Sequence, residues 1–183
     1  MIDICLTKDD GDRKYSLLEN SLTEIFFSER NEIRIRKGHS LIESPRSVLV
    51  EALSEYAKFC IYIANDYKPE LLDLRDGGIR DIWDYSDFFD LPEFSQEKKK
   101  ILTLEFLEQK ANYWDLEAHI NGDILQIFPT DEMKEKMILF DEKSNNIGEV
   151  IIQALDFLQN LRENTENKYK LRYTDPKGEV YFH

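Results

Sequence analysis

Two amphipathic helical periods, with runs of short strand-like segments around them, predict an α+β fold for this 183-residue chain. Hydrophobic residues make up 42%, while Gly and Pro number only 7 and 5, so the chain can fill a core and has little material for flexible linkers. We read residues 1–183 as a single α+β domain, an antiparallel β-sheet with two amphipathic helices packed on one face.

In chain order, Cys5 falls in a short apolar strand. Ile25-Phe26-Phe27 and Ile33-Arg34-Ile35-Arg36 then flank a polar turn, the second alternating apolar and basic residues. Ser44 and Pro45 supply an N-cap and a first-turn proline for a helix over 47–64. On it, Leu49, Ala52, Leu53, Tyr56, Ala57, Phe59, Cys60, Ile63 and Ala64 share a face opposite Ser47, Glu51, Ser54, Glu55 and Lys58. Residues 101–107, 113–120 and 123–128 read as successive strands, the last two joined by Asn121-Gly122, which suits a type I′ hairpin because both residues tolerate positive φ. Met137–Phe140 offers a further strand. The second helix runs from about Ile147 to Glu163 behind Asn145 or Asn146 as cap. Its face comprises Ile147, Val150, Ile151, Ala154, Leu155, Phe157, Leu158 and Leu161, with Ile152 the one apolar residue left outside. Tyr169–Tyr173 and Glu179–Phe182 close a hairpin around Asp175-Pro-Lys-Gly178.

Charge is unevenly spread. The chain carries 24 Lys and Arg against 37 Asp and Glu, a net of −13. Nine acids and two bases lie between Glu70 and Glu97, a local net of −7. Within that stretch Asp81, Asp84, Asp87, Asp90 and Glu93 recur at every third position, and Trp83, Tyr85, Phe88, Phe89 and Phe94 fill the gaps. A three-residue period drifts by roughly 60° per step on an α-helix, so the carboxylates would fan around a helix and leave no apolar face. Gly77-Gly78 before the segment and Pro92 after it mark breaks. The expectation is a loop or short helical turns, rings partly tucked under and carboxylates outside. Burying so many unpaired carboxylates would cost about several kcal/mol each. Exposed, the rings give contact area and the charges attract a basic partner. The candidate partner-binding residues are therefore Asp76, Asp81, Trp83, Asp84, Tyr85, Asp87, Phe88, Asp90 and Glu93. A solvated acidic surface is the plainer reading of the same residues.

The sequence carries no recognisable catalytic or ligand-binding signature. His39, His119 and His183 are scattered, with no metal-ligand partner at i+3 or i+4, and His119 belongs to a hairpin surface. The aspartates lack calcium-loop spacing. There is no G-x-S-x-G, no activated cysteine context, no G-x-G-x-x-G and no P-loop. Asp123 followed by Glu132-x-Lys134 has an order met in metal-dependent nucleases. Such triplets arise by chance in a chain that is 33% charged, and net −13 opposes a polyanionic substrate. We assign these three to ordinary surface charge, and Trp114 to the core. The reading is no enzyme, no metal and no cofactor. Cys5 and Cys60 behave as small buried hydrophobes. With no leader at the N-terminus and no apolar run of about 20 residues, the expected location is the cytoplasm.

A small acidic α+β chain with this Asp-aromatic patch (Asp81, Trp83, Asp84, Tyr85, Asp87, Phe88 and Asp90) resembles the bacterial immunity proteins of contact-dependent inhibition and other polymorphic toxin systems. The resemblance implies a tight one-to-one complex with a basic toxin, often a nuclease, blocking its active site or substrate groove, and no direct contact with nucleic acid or membrane. Like charge favours a monomer when free. Two alternatives are an acidic adaptor or regulatory module docking another basic or nucleic-acid-binding protein, and an enzyme with an unrecognised site.

Overall fold

The computed structural model describes residues 2–4, 24–27, 33–36, 45–81, 91–121, 124–141, 147–165 and 169–182. The strands are β1 (Ile2–Ile4), β2 (Glu24–Phe27), β3 (Ile33–Arg36), β4 (Lys68–Asp73), β5 (Ile79–Asp81), β6 (Leu116–Asn121), β7 (Ile124–Pro129), β8 (Tyr169–Thr174) and β9 (Val180–Phe182). The helices are α1 (Pro45–Ala64), α2 (Gln96–Ile101), α3 (Leu104–Phe106), α4 (Asp131–Ile138) and α5 (Ile147–Thr165), and a π-helical turn, Leu107–Ala111, follows α3. The fold is α+β, and every strand pairing described is antiparallel. The strands divide into three sheets, ordered β1-β7-β6, β2-β3 and β5-β4-β8-β9.

The two long helices form where their periodicity predicts, and they pack on each other. Leu49, Leu53, Ala57, Val150, Ala154 and Leu158 are all at most 1% exposed. Phe157 of α5 lies 4.7 Å from Phe59 and 5.8 Å from Tyr56 of α1, and the Tyr56 hydroxyl donates to Gln153 Oε1 (3.0 Å). Each fully buried large apolar side chain contributes about 1.5–3 kcal/mol. Val48 and Ile61, which the helical wheel left off the apolar face, are also fully buried. The reason is that α1 is enclosed by more than one neighbour: besides α5 it touches β6, β4 and the π-helical turn. Ile152 is half-buried against the core rather than outside it. The caps expected at Ser44 and at Asn145 or Asn146 lie outside the described residues, as does Cys5.

The four-stranded sheet carries both helices on one face. Along β4, Pro69, Leu71 and Asp73 are buried and alternate with more exposed residues. In register, Leu71 pairs with Leu171 and Pro69 with Tyr173, both buried. Tyr173 stacks on Tyr62 of α1 at 4.2 Å and meets Phe59 at 6.5 Å. Glu70, Leu72, Arg172 and Thr174 occupy the opposite face by strand alternation. There Arg172 donates twice to Glu70 Oε2 (2.9 and 2.7 Å), and Thr174 Oγ1 donates to the same oxygen (3.0 Å).

Two segments expected as strands are helical. Residues 101–107 divide between the end of α2, α3 and the start of the π-helical turn. The cause is capping: the Ser95 hydroxyl accepts from the Lys98 N–H, and Thr103 Oγ1 from the Phe106 N–H, each satisfying a first-turn donor. Lys98, Lys99 and Lys100 at the C-terminal end of α2 complement the helix dipole. Met137–Phe140 likewise belongs to the end of α4 and the turn after it. Thr130 Oγ1 accepts from the Met133 N–H, Asp131 and Glu132 occupy the first turn, and Lys136 the last. The β6–β7 hairpin forms as expected, but Asn121 pairs with Ile124, so its two-residue connection is 122–123, one position later than Asn121-Gly122. The β8–β9 turn is held by Asp175, whose Oδ1 accepts from the N–H groups of Lys177 and Glu179, with Gly178 at φ +91°. β4 and β5 were not anticipated from the sequence.

Candidate functional site

Of the nine candidate partner-binding residues, Trp83, Asp84, Tyr85, Asp87, Phe88 and Asp90 lie outside the described residues. Asp81 closes β5 as the register partner of Glu70. Glu93 is exposed beyond the segment, and Asp76 sits in the turn between β4 and β5. The local structure therefore concerns the root of the acidic stretch.

That root is a tightly bonded turn. Asp73, 2% exposed at the end of β4, accepts from the Arg75 backbone N–H (2.9 Å) and from its Nε (3.0 Å) and Nη2 (2.9 Å). Arg80 approaches the same carboxylate at 3.7 Å and pairs with Asp76 at 2.6 Å. Arg75 also donates to the Tyr169 hydroxyl (3.0 Å) and lies over its ring, 5.4 Å from the centroid. The hydrogen bonds from Arg75, joined by the charges of Arg75 and Arg80, hold the Asp73 carboxyl down at about 2. Asp76 Oδ1 additionally accepts from the Gly78 N–H (2.7 Å). Gly77 takes φ +72°, a conformation that disfavours side chains, and a Cβ on Gly78 would come within 2.9 Å of both the Arg80 guanidinium and the Asp76 carboxylate. Asp76 is thus half-exposed and already engaged in the turn.

Two further basic residues near the segment are engaged within the fold as well. Lys98 reaches the carbonyls of Ile138 (3.2 Å) and Asp141 at the end of α4, and Lys99 pairs with Asp66 at 3.3 Å. On the outer sheet face, burial raises the Glu70 carboxyl but the bonds from Arg172 and Thr174 outweigh it, and its pKa is lowered. Two large apolar side chains flanking the turn are well exposed: Leu74 at 56% and Ile79, the first residue of β5, at 41%. Sequence reasoning missed them. The signal was present as apolar residues bracketing Arg75-Asp76-Gly77-Gly78, a turn sequence treated only as a break.

Elsewhere, Lys136 is an unusual group. It is 7% exposed, its ammonium lies 3.8 Å from the centroid of the Trp114 ring, and it donates to the Tyr113 carbonyl. Burial lowers its pKa to about 8, against the opposing charge of Glu132. Trp114 is core, as expected, at 2% exposure. His119 is a hairpin surface residue 3.8 Å from Glu117. Lys134 pairs with Asp131 at 2.9 Å, while Asp123 lies outside the described residues. The Cys60 thiol is buried and pushed up by desolvation, which makes it a poor nucleophile. Among the described residues, no group of three or more His, Cys, Asp or Glu is arranged to hold a metal ion, and no helix is long and apolar enough to cross a membrane. His39 and His183 lie outside the described residues.

No protein-family model, curated protein or solved structure matches this chain.

Proposed function

We propose that this chain is a non-catalytic acidic binding protein that inhibits a basic protein partner. In the form we favour it is an immunity protein that neutralises a cognate bacterial toxin, a nuclease first of all, by covering its active site or substrate groove. One observation carries the reading. Arg75 and Arg80, the only bases between Glu70 and Glu97, are engaged on Asp73 and Asp76, and the next two lysines reach α4 carbonyls and Asp66. A local net of −7 thus stands beside cations already committed to the fold, which favours a partner supplying positive charge. The complex is one-to-one, the free protein a monomer in the cytoplasm.

The test is co-expression with the product of the neighbouring reading frame, with growth as the readout. Protection by the parent chain, together with slower and less salt-dependent association of the Asp84→Asn/Asp87→Asn variant, is the expected result. Phe88→Ala should instead speed dissociation. If the parent confers no protection, or if both variants bind and protect like the parent, the acidic stretch is only a solvated surface.

A further inference from the structure

A file of four tyrosine rings runs from the core to the surface along the edge of the four-stranded sheet. Tyr173 of β8, fully buried, stacks on Tyr62 of α1 with ring centroids 4.2 Å apart and planes inclined by 13°. Tyr62 meets Tyr67, which lies between α1 and β4, at 4.9 Å, and Tyr67 meets Tyr181 of β9 at 5.5 Å. Tyr62 and Tyr67 are half-buried, and Tyr181 is 38% exposed. At this outer end the Tyr181 hydroxyl donates to Glu179 Oε2 at 3.0 Å. Aromatic rings in contact are ordinary core material. This file differs in two respects: every ring is a phenol, and the outermost is bonded to an exposed carboxylate.

A phenol gives up an electron far more readily than phenylalanine does, and electrons pass between rings in van der Waals contact. A phenol that has lost an electron is a strong acid, so the vacancy settles where the proton has an acceptor. Tyr173 is a costly place for it, because a charged ring there is cut off from water. Among the described residues, neither the Tyr62 nor the Tyr67 hydroxyl is bonded to a carboxylate, whereas Tyr181 has Glu179. We propose that Tyr173, Tyr62, Tyr67 and Tyr181 form a path for one-electron oxidation, and that Tyr181 is the site at which a one-electron oxidant, such as a metal(III) complex or the carbonate radical, modifies the protein. The oxidant is reduced by one electron drawn from any ring of the file. Electrons then pass from ring to ring until the vacancy reaches Tyr181. Its O–H bond breaks, the proton goes to Glu179 Oε2, and a neutral tyrosyl radical remains. Coupling with a second phenoxyl radical forms a carbon–carbon bond ortho to each oxygen, and the displaced ring hydrogens restore the two hydroxyls. This modification is independent of the binding function above.

In the experiment, the full chain is irradiated with tris(bipyridine)ruthenium(II), a cobalt(III) ammine as terminal electron acceptor and biotin-tyramide as the second phenol. Labelled tyrosines are then quantified by mass spectrometry. Direct attack follows exposure, and would mark Tyr113, 67% exposed, above Tyr181 at 38%. The path gives the reverse order. Tyr67→Phe keeps a ring in place but cuts the path, and should drop labelling of Tyr181 below that of Tyr113. Labelling of Tyr113 and the melting temperature should stay at the parent values, and Tyr62→Phe replaces this variant if its melting temperature falls. Glu179→Gln, whose amide cannot take the proton, should move label from Tyr181 to Tyr67. A parent chain labelled more on Tyr113 than on Tyr181 would overturn the path, as would unchanged labelling of Tyr181 in the folded Phe variant. Labelling of Tyr181 at the parent level in Glu179→Gln would overturn its role as the end point.

Discussion

Lys136 should make the protein more stable as the solution becomes more alkaline. Its ammonium is buried against the Trp114 ring at 3.8 Å and has the Tyr113 carbonyl as acceptor. Desolvation draws its pKa from 10.5 to about 8. A folded-state value below the unfolded one means that the unfolded chain holds the proton more tightly. Stability is therefore depressed below the folded pKa and recovers as pH rises from about 8 toward 10.5. At full weight the shift corresponds to about 3 kcal/mol. Glu132 is exposed one turn away, and the ring and carbonyl favour the charged form, so screening and these contacts reduce the working figure to about 1.5 kcal/mol. Of this, about 0.5 kcal/mol should be recovered between about pH 7 and about pH 9.5, and the rest at higher pH. The assay is urea unfolding of the parent and of Lys136→Met, which keeps a long side chain and removes the charge. The parent-minus-variant stability should grow by that amount across the window. Tyr62, Tyr173 and Tyr181 all have raised pKa values, Tyr181 to about 12, and they contribute with the opposite sign at higher pH. They are common to both proteins and cancel in the difference. A parent-minus-variant stability that is flat or falls with pH would refute the burial of a charged lysine.

Two further outcomes follow from the core and the turn. Asp73 is held at about 2 by Arg75 and then Arg80, a depressed value, so its contribution is complete above the unfolded carboxylate pKa of about 3.9 and is lost as pH falls toward the folded value. Asp73→Asn should flatten that acid limb in melts between about pH 5 and about pH 2.5, and an unchanged limb would contradict the assignment. Leu53→Ala and Leu158→Ala, each at a site 1% exposed, should each cost about 2–5 kcal/mol in denaturant melts, and a change below about 0.5 kcal/mol would contradict their burial.

The two long helices were legible because each repeats one message over about five turns. Leu49, Leu53, Tyr56 and Cys60 say the same thing, as do Val150, Ala154, Leu158 and Leu161. The short helices were not, because their signal sits in single hydroxyls. Ser95, Thr103 and Thr130 decide the local structure by accepting one N–H each, while the apolar residues within 101–107 and 137–140 also suit a strand. β4 was hidden for another reason. Pro69 and Asp73 argue against a strand locally, yet Pro69 lies beyond the last residue paired with β5, and Asp73 is satisfied by Arg75. The candidate site is legible in the sequence as charge and aromatic content. The clasp beneath it is not, because Arg75 meets Tyr169 across 94 residues of chain.

The pairing of β4 with β8 has a consequence for synthesis of the protein on the ribosome. Glu70 finds Arg172 across 102 residues, and Tyr56 finds Gln153 across 97. At about 5–20 residues per second, roughly 5–20 s of translation separate the two halves of either contact. Throughout that interval the nascent chain lacks α5 and β8, which cover part of the apolar stripe of α1 and one edge of β4. Loop closure over such a span also makes the docking step slow in comparison with helix formation. The fold therefore closes only after α5 and β8 have been made, and a truncated translation product that stops before α5 should persist as a chaperone client rather than as a partly folded protein.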